Sequence, residues 1–346
     1  MRVSVVGAGA VGSFLAAVLA AAGHDVTLLS RTQPREPGAG RLVLVGVDGV
    51  RRAVPVTRTG GPARLPRDQD AVVLAVKRFD LEAACALLAG DPVVPAVTVQ
   101  NGIGAEELVA ARRPGSPLVA ASLTTAVELD AGGAVHRLSG GGIGLAAAGD
   151  GPGKALPALL AGAFAAGGLP AAVLPDAAAM KWSKLLANLV GNATSALLDA
   201  PVSEILTDPR LFEVERQQQA EALAVMARLG LRPVRLPGAS VPLLVLGFRL
   251  PAALGRPILA RVLGGARGGK MPSLRLALRG GPGPTEVAWL NGAVADAAAR
   301  LGLAAPVNAA LRRLVEEGSA DPGSLARFRD GRDRLIVALG AEPASR

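Results

Sequence analysis

Val3-Ser4-Val5-Val6-Gly7-Ala8-Gly9-Ala10-Val11-Gly12 reads as a short apolar strand running into a G-x-G-x-x-G turn and then a helix. The glycines have separable jobs. Gly7 makes the tight turn, Gly9 lets the backbone approach a pyrophosphate, and Gly12 permits close packing of helix on sheet. The helix N-terminus presents free N–H groups and partial positive charge to phosphates. Gly7, Ala8, Gly9, Ala10, Val11 and Gly12 are therefore candidate cofactor-binding residues. A glycine-rich turn without a ligand is the plainer alternative in a chain with 44 glycines. Its position at the start of a β-α-β pattern favours the dinucleotide.

Outward from this turn, short apolar runs alternate with helical patterns. Arg2–Val6, Asp25–Ser30, Ala71–Val76, Ala96–Gln100 and Leu118–Ala126 read as strands. Helices are expected over Val11–Ala22, Leu81–Ala89 and Ala105–Arg112, and Leu42–Val56 looks like a hairpin around Asp48-Gly49. This alternation predicts an α/β fold: an N-terminal Rossmann-type domain over 1–175 with a parallel, doubly wound sheet. From Ala177 onward the pattern is helical, at about 177–199, 203–229, 285–302 and 306–317. An all-α domain is expected over 176–346, with 232–284 too rich in Pro and Gly to assign.

The second strand ends Leu28-Leu29-Ser30-Arg31-Thr32. An acidic residue there would favour NAD through the ribose hydroxyl; Arg31 instead suits the 2′-phosphate of NADP. An ordinary solvated arginine is the alternative, since arginine is common in this chain.

Composition prunes the chemistry. Tyrosine is absent, histidine occurs twice and cysteine once, in 346 residues. A Cys/His zinc site and a disulfide framework are both out of reach, so no metal is expected. The lone Cys85 suits a reducing, cytoplasmic setting. The net charge of +9 comes from 37 basic residues, only five of them lysine, scattered rather than clustered. With 2% aromatics there is little to stack bases on, so nucleic acid is not an expected partner. The apolar run from Val241 to Phe248 is far short of a membrane span, so no membrane association is expected. An acidic small molecule fits the basic surface better. Without tyrosine, and with His24 and His136 both in the first domain, lysine is the natural proton donor to a carbonyl.

Lys181-Trp182-Ser183-Lys184-Leu185-Leu186-Ala187-Asn188-Leu189-Val190-Gly191-Asn192 supplies one. Lys184, Asn188 and Asn192 recur every four residues and would line one face of a helix. A solvated polar stripe is the alternative. Asparagine is a mediocre helix former, and the rest of the helix is apolar, so a buried cleft is the better reading. Lys181, about 300° around the helix from Lys184, is expected to be dispensable for activity.

With these pieces in place the chain resembles the ketopantoate reductase (2-dehydropantoate 2-reductase) family nearly end to end. Ala75-Val76-Lys77 and Val99-Gln100-Asn101-Gly102 each close a strand. Pro272-Ser273-Leu274 precedes Pro284-Thr285-Glu286-Val287-Ala288-Trp289-Leu290-Asn291-Gly292. The resemblance implies NADPH-dependent reduction of a 2-oxo acid, most specifically of 2-dehydropantoate to pantoate in pantothenate biosynthesis, and allows a homodimer. It implies that Lys184 is the catalytic acid and that Asn101, Asn188, Asn192 and Ser273 hold substrate. Lys77, Asn101, Val127 and Glu286 would contact cofactor, Val127 through its backbone, with Glu286 also near Lys184. Glu286 could instead serve its own helix dipole, and Ser273 could be a cap.

The chain also departs from the family pattern. Val202 stands where the family usually has asparagine, an acidic residue is missing around Leu274–Arg279, and the apolar stretch 238–270 is long. These departures lie where substrate should bind. A related reductase acting on another 2-oxo acid or an imine is therefore the near alternative. A non-catalytic NADP-binding sensor is the distant one, since a sensor has no need of the lysine–asparagine face.

Overall fold

The computed structural model describes residues 1–30, 37–60, 68–86, 94–149, 155–264, 271–329 and 331–340. Eleven strands form its sheet: β1 (Arg2–Val6), β2 (Asp25–Ser30), β3 (Gly38–Val45), β4 (Arg51–Gly60), β5 (Ala71–Leu74), β6 (Ala96–Thr98), β7 (Leu118–Leu123), β8 (Val127–Leu129), β9 (Val135–Arg137), β10 (Ile143–Ala147) and β11 (Ala171–Val173). Four helices interleave with them: α1 (Ala10–Ala21), α2 (Leu81–Ala86), α3 (Ala105–Arg112) and α4 (Leu156–Ala166). The remainder is helical: α5 (Ala177–Leu189), α6 (Asn192–Leu198), α7 (Val202–Thr207), α8 (Pro209–Arg228), α9 (Val241–Arg249), α10 (Ala252–Gly264), α11 (Ser273–Arg279), α12 (Asn291–Arg300), α13 (Pro306–Ala320), α14 (Ala326–Arg329) and α15 (Arg332–Ala338).

The sheet order is β11-β10-β7-β6-β5-β1-β2-β4-β3-β9-β8. Its centre, from β7 through β6, β5, β1 and β2 to β4, is parallel. β5 and β6 are buried along their whole length and β1 beyond Arg2, which is why they read as unbroken apolar runs. From β1 the chain builds outward first to β2 and then, on the other side, to β5. The order thus reverses beside β1, and the crevice beyond its C-terminal end is where a doubly wound sheet takes its ligand. The expected hairpin is present as β3 and β4, antiparallel, with Gly49 at φ +78° in the turn. The sheet is not purely parallel, however: β10 runs antiparallel to β7, and β8–β9 forms a further antiparallel pair that joins β3.

Two large cores lie on either side of this arrangement. One packs α1 and α4 on the sheet through Phe14, Leu15, Leu19 and Phe164. The other belongs mainly to the helices after β11 but takes Ala120 of β7 and Ala146 of β10 into itself. α5 makes that connection. Asp176 caps it by accepting the Ala179 N–H at 2.9 Å, and Met180 Sδ packs where a side chain at Gly144 of β10 would project.

Three expected helices are interrupted. The stretch 177–199 breaks at Gly191, where φ is +59°. The stretch 203–229 breaks at Asp208, whose carboxylate caps α8, and the expected helix over 285–302 opens with a 3-10 turn before α12. The unassigned stretch contains α9, α10 and α11, and among the described residues none of the helices is long and apolar enough to cross a membrane.

Candidate active site

The glycine turn is built as its spacing demands. Gly7 has φ +109°, and a Cβ there would fall 2.9 Å from the Ala75 backbone. A Cβ on Gly12 would lie 1.8 Å from the Gly7 carbonyl oxygen. At Gly9 a Cβ would meet nothing within 4 Å, so the approach to the turn is open. Ser13 Oγ donates to the Ala8 carbonyl at 3.2 Å, and the first turn of α1 carries no acidic residue. Free N–H groups, open space and no opposing charge fit a pyrophosphate. Arg31 lies outside the described residues.

Beside this turn, Lys77 follows β5 and Asn101 follows β6. Lys77 Nζ pairs with Glu286 Oε2 at 2.5 Å; its side chain is 57% exposed while that of Glu286 is 7% exposed. Glu286 thus turns its carboxylate across to the sheet rather than toward its own helix. Arg78 packs its guanidinium 5.0 Å from the centre of the Trp289 ring and donates to the Gly104 carbonyl. Burial lowers the Arg78 pKa from its ordinary value, against the pull of Glu106 and Glu107. Val127 opens β8 and is buried in the core that packs α1.

Between the glycine turn and α5 lies the loop 100–104, gripped from several sides. Gln100 Nε2 donates to the Leu74 and Val76 carbonyls at 2.7 and 3.0 Å. Lys181 Nζ donates to the Gln100 carbonyl at 2.6 Å and pairs with Glu106 at 3.2 Å. The Ile103 N–H donates to the Trp289 carbonyl, against which Gly102 is packed too closely for any side chain. Asn188 Nδ2 donates to Asn101 Oδ1 at 3.1 Å, bringing two of the expected substrate ligands together across the cleft.

Lys184 and Asn188 lie half-buried on α5, one turn apart. Asn192 does not continue their stripe. It is buried at the start of α6, beyond the Gly191 break, so its helical register with Lys184 is lost. Its amide instead meets α11: Oδ1 accepts the Leu274 N–H at 3.1 Å and Nδ2 lies 3.5 Å from Ser273 Oγ. Asn192 and Ser273 are therefore brought together by a helix cap, not by a shared face.

The break itself is held by a carboxylate that spacing did not reveal. Glu215 of α8 is fully buried and accepts the Gly191 N–H at 2.7 Å and the Thr194 hydroxyl at 2.6 Å. On the far side of α6, Asp199 holds Arg275 and Arg279, tying α6 to α11. The hydrogen bond from Arg279 is the main cause that lowers the Asp199 pKa, offset in part by burial and reinforced by Arg275. Lys181 is the second surprise. Its side chain is 5% exposed and ion-paired with Glu106, a burial that its sequence position did not suggest. Leaving Glu106, 13% exposed, without it would strand a largely desolvated carboxylate and destabilise the fold.

The structure thus pairs Asn188 with Asn101 and Asn192 with Ser273, with Lys184 one turn before Asn188 on α5. That set can polarise and protonate a carbonyl while holding a carboxylate. Comparison with known proteins gives a consistent answer. The family model "Ketopantoate reductase PanE/ApbA" matches residues 3–149, and "Ketopantoate reductase PanE/ApbA C terminal" matches 176–318. A 2-dehydropantoate 2-reductase of Halobacterium salinarum is 30% identical over 327 residues, covering 93% of this chain and all of the relative. One from Archaeoglobus fulgidus is 26% identical, covering 91% and 96%. The crystal structure of a PanE/ApbA family ketopantoate reductase from Ralstonia eutropha superposes with a TM-score of 0.73 at 25% identity, covering 92% of this chain and 99% of that one. A D-mandelate dehydrogenase solved with NADH and anilino(oxo)acetate shares the fold at a TM-score of 0.76 and 20% identity, covering 94% and 100%.

Proposed function

Because the chain belongs to the ketopantoate reductase family, we propose that it reduces 2-dehydropantoate to pantoate with NADPH. The observation that carries this reading is the half-buried Lys184, one turn before the Asn188–Asn101 amide pair at the ligand-binding edge of the sheet. When bound, the reduced cofactor supplies a hydride to the ketone carbon. Lys184 hydrogen-bonds to the ketone oxygen, stabilises its developing negative charge and donates the proton that completes the alcohol. Asn101, Asn188, Asn192 and Ser273 orient the substrate. The Gly7–Gly12 turn holds the pyrophosphate, Arg31 the 2′-phosphate, and Lys77, Asn101, Glu286 and the Val127 backbone the remainder of the cofactor. We place the division between the nucleotide-binding and helical parts in the connection between β11 and α5, and the protein in the cytoplasm. Leu243, Leu246 and Leu254, all exposed, support a homodimer, which sedimentation equilibrium tests.

Following NADPH oxidation at 340 nm with a panel of 2-oxo acids tests the activity. Turnover of 2-dehydropantoate above the unbranched acids is expected; no turnover of any member would overturn the reading. NADPH should be preferred to NADH, and Arg31→Ala should weaken NADPH binding about tenfold or more by loss of a charge-assisted contact. Equal affinity of the unmutated protein for both cofactors would sink the NADP assignment. One feature favours a different 2-oxo acid. Val202, standing in place of the family asparagine, brings its methyl groups against Gly191, beside Asn192, where the family has an amide. An oxo acid with a less polar tail that outcompetes 2-dehydropantoate would select that second reading.

A further inference from the structure

Lys181 takes no part in the chemistry outlined above, yet it spans the two parts of the molecule. We infer that Lys181, held by Glu106, is a positioning residue that sets the distance between α5, which carries Lys184, and the 100–104 loop, which carries Asn101. This inference rests on the reductase reading for its kinetic consequences.

The geometry supports it in three ways. Lys181 and Asn188 are seven residues apart on α5, so their directions differ by only about 20°. They therefore reach from one strip of the helix to consecutive loop residues: Lys181 to the Gln100 carbonyl at 2.6 Å, Asn188 to the Asn101 side chain at 3.1 Å. Secondly, the ammonium group is fixed. Glu106 Oε1 lies 3.2 Å away and is itself held by the Thr98 hydroxyl at 2.6 Å, so the anchor is braced against β6. Thirdly, an apolar side chain could fill this site without the cost of desolvating an ammonium group. Lysine adds to the site a directed bond to one backbone carbonyl, at the residue preceding Asn101. Lys184, three residues further along the same helix, inherits its distance from Asn101 through these two contacts.

The test uses the full chain. Lys181→Met should lower kcat/KM for the oxo acid at least tenfold, chiefly through a raised KM, with NADPH affinity within about threefold. Partial unfolding alone would lower kcat and leave KM unchanged. Should Lys181→Met fold poorly, the double variant Lys181→Met/Glu106→Met removes both charges of the pair together. Thr98 keeps an acceptor there in the Val119 carbonyl. In an Asn101→Ala background the further effect of removing the Lys181–Glu106 pair should shrink below about twofold, because the residue being positioned is gone. Hydrogen exchange of the Ile103 amide gives a readout that needs no turnover, and should quicken at least tenfold in either variant. Folded variants with unchanged KM and unchanged Ile103 exchange would overturn the inference, as would a full additional loss in the Asn101→Ala background. Failure of the reductase reading would appear as inactivity of the unmutated protein; the exchange measurement would then decide the positioning role alone.

Discussion

In the proposed mechanism, replacing Lys184 with alanine removes a proton donor and a positive charge at the same place. General acid catalysis contributes about 10²–10⁴-fold, so kcat should fall at least a hundredfold. The cofactor should still bind, because the phosphate site proposed for it is the Gly7–Gly12 turn; fluorescence titration checks this, and a collapse of affinity would contradict the assignment. Asn188→Ala removes the partner of the Asn101 amide and should raise KM for the oxo acid at least fivefold, read from initial rates. At this scale the sequence was informative where a spacing repeats along a helix: Lys184 and Asn188 lie one turn apart on α5, as their four-residue spacing predicts. Lys181 did not, because what makes it important lies 75 and 81 residues upstream, at Glu106 and the Gln100 carbonyl. A lysine's burial is decided by its partner, and no local pattern encodes a partner that distant.

The break between α5 and α6 belongs to the scale of elements. Apolar residues continue at helical spacing through Leu189, Val190, Ala193 and Leu197, so an unbroken helix was the natural reading. Gly191 in the left-handed region and the buried Glu215 decide otherwise. Gly191→Ala would place a Cβ 2.7 Å from Val202 Cγ1 on a backbone at φ +59°. It should cost about 1–3 kcal/mol in urea unfolding and displace Asn192 from the α11 terminus, raising KM as well. Retained stability and retained KM would show that the break does not position Asn192. The glycine turn of α1 was legible for the opposite reason. All its constraints fall within a few residues of one another, and each glycine meets a close backbone neighbour or open space.

For the molecule as a whole, alternation of strands and helices foretold the parallel centre of the sheet, since a strand buried on both faces must be apolar throughout. It could not foretell the antiparallel β10 or the β8–β9 pair, whose short runs carry no distinctive period. Acid stability is also a property of the assembled molecule. Asp199 joins α6 to α11 through two arginines, and its pKa lies below the ordinary carboxylate value. Its contribution is therefore complete above the unfolded value, near pH 4, and is lost as pH falls through the lower folded value. Asp199→Asn should lower the urea midpoint at pH 6 and show a smaller further drop between pH 5 and 2 than the unmutated protein. Equal drops would dismiss the clamp. The small residues beneath α5 bear on how the chain is made. Synthesis runs from the N-terminus, so β7 and β10 leave the ribosome before α5 exists to cover them. The face that waits carries Ala120, Gly144 and Ala146, little more than backbone and methyl groups, with the bulk over Gly144 supplied later by Leu174 and Met180. A nascent chain halted after β11 thus offers a chaperone, or another unfinished chain, almost nothing to hold.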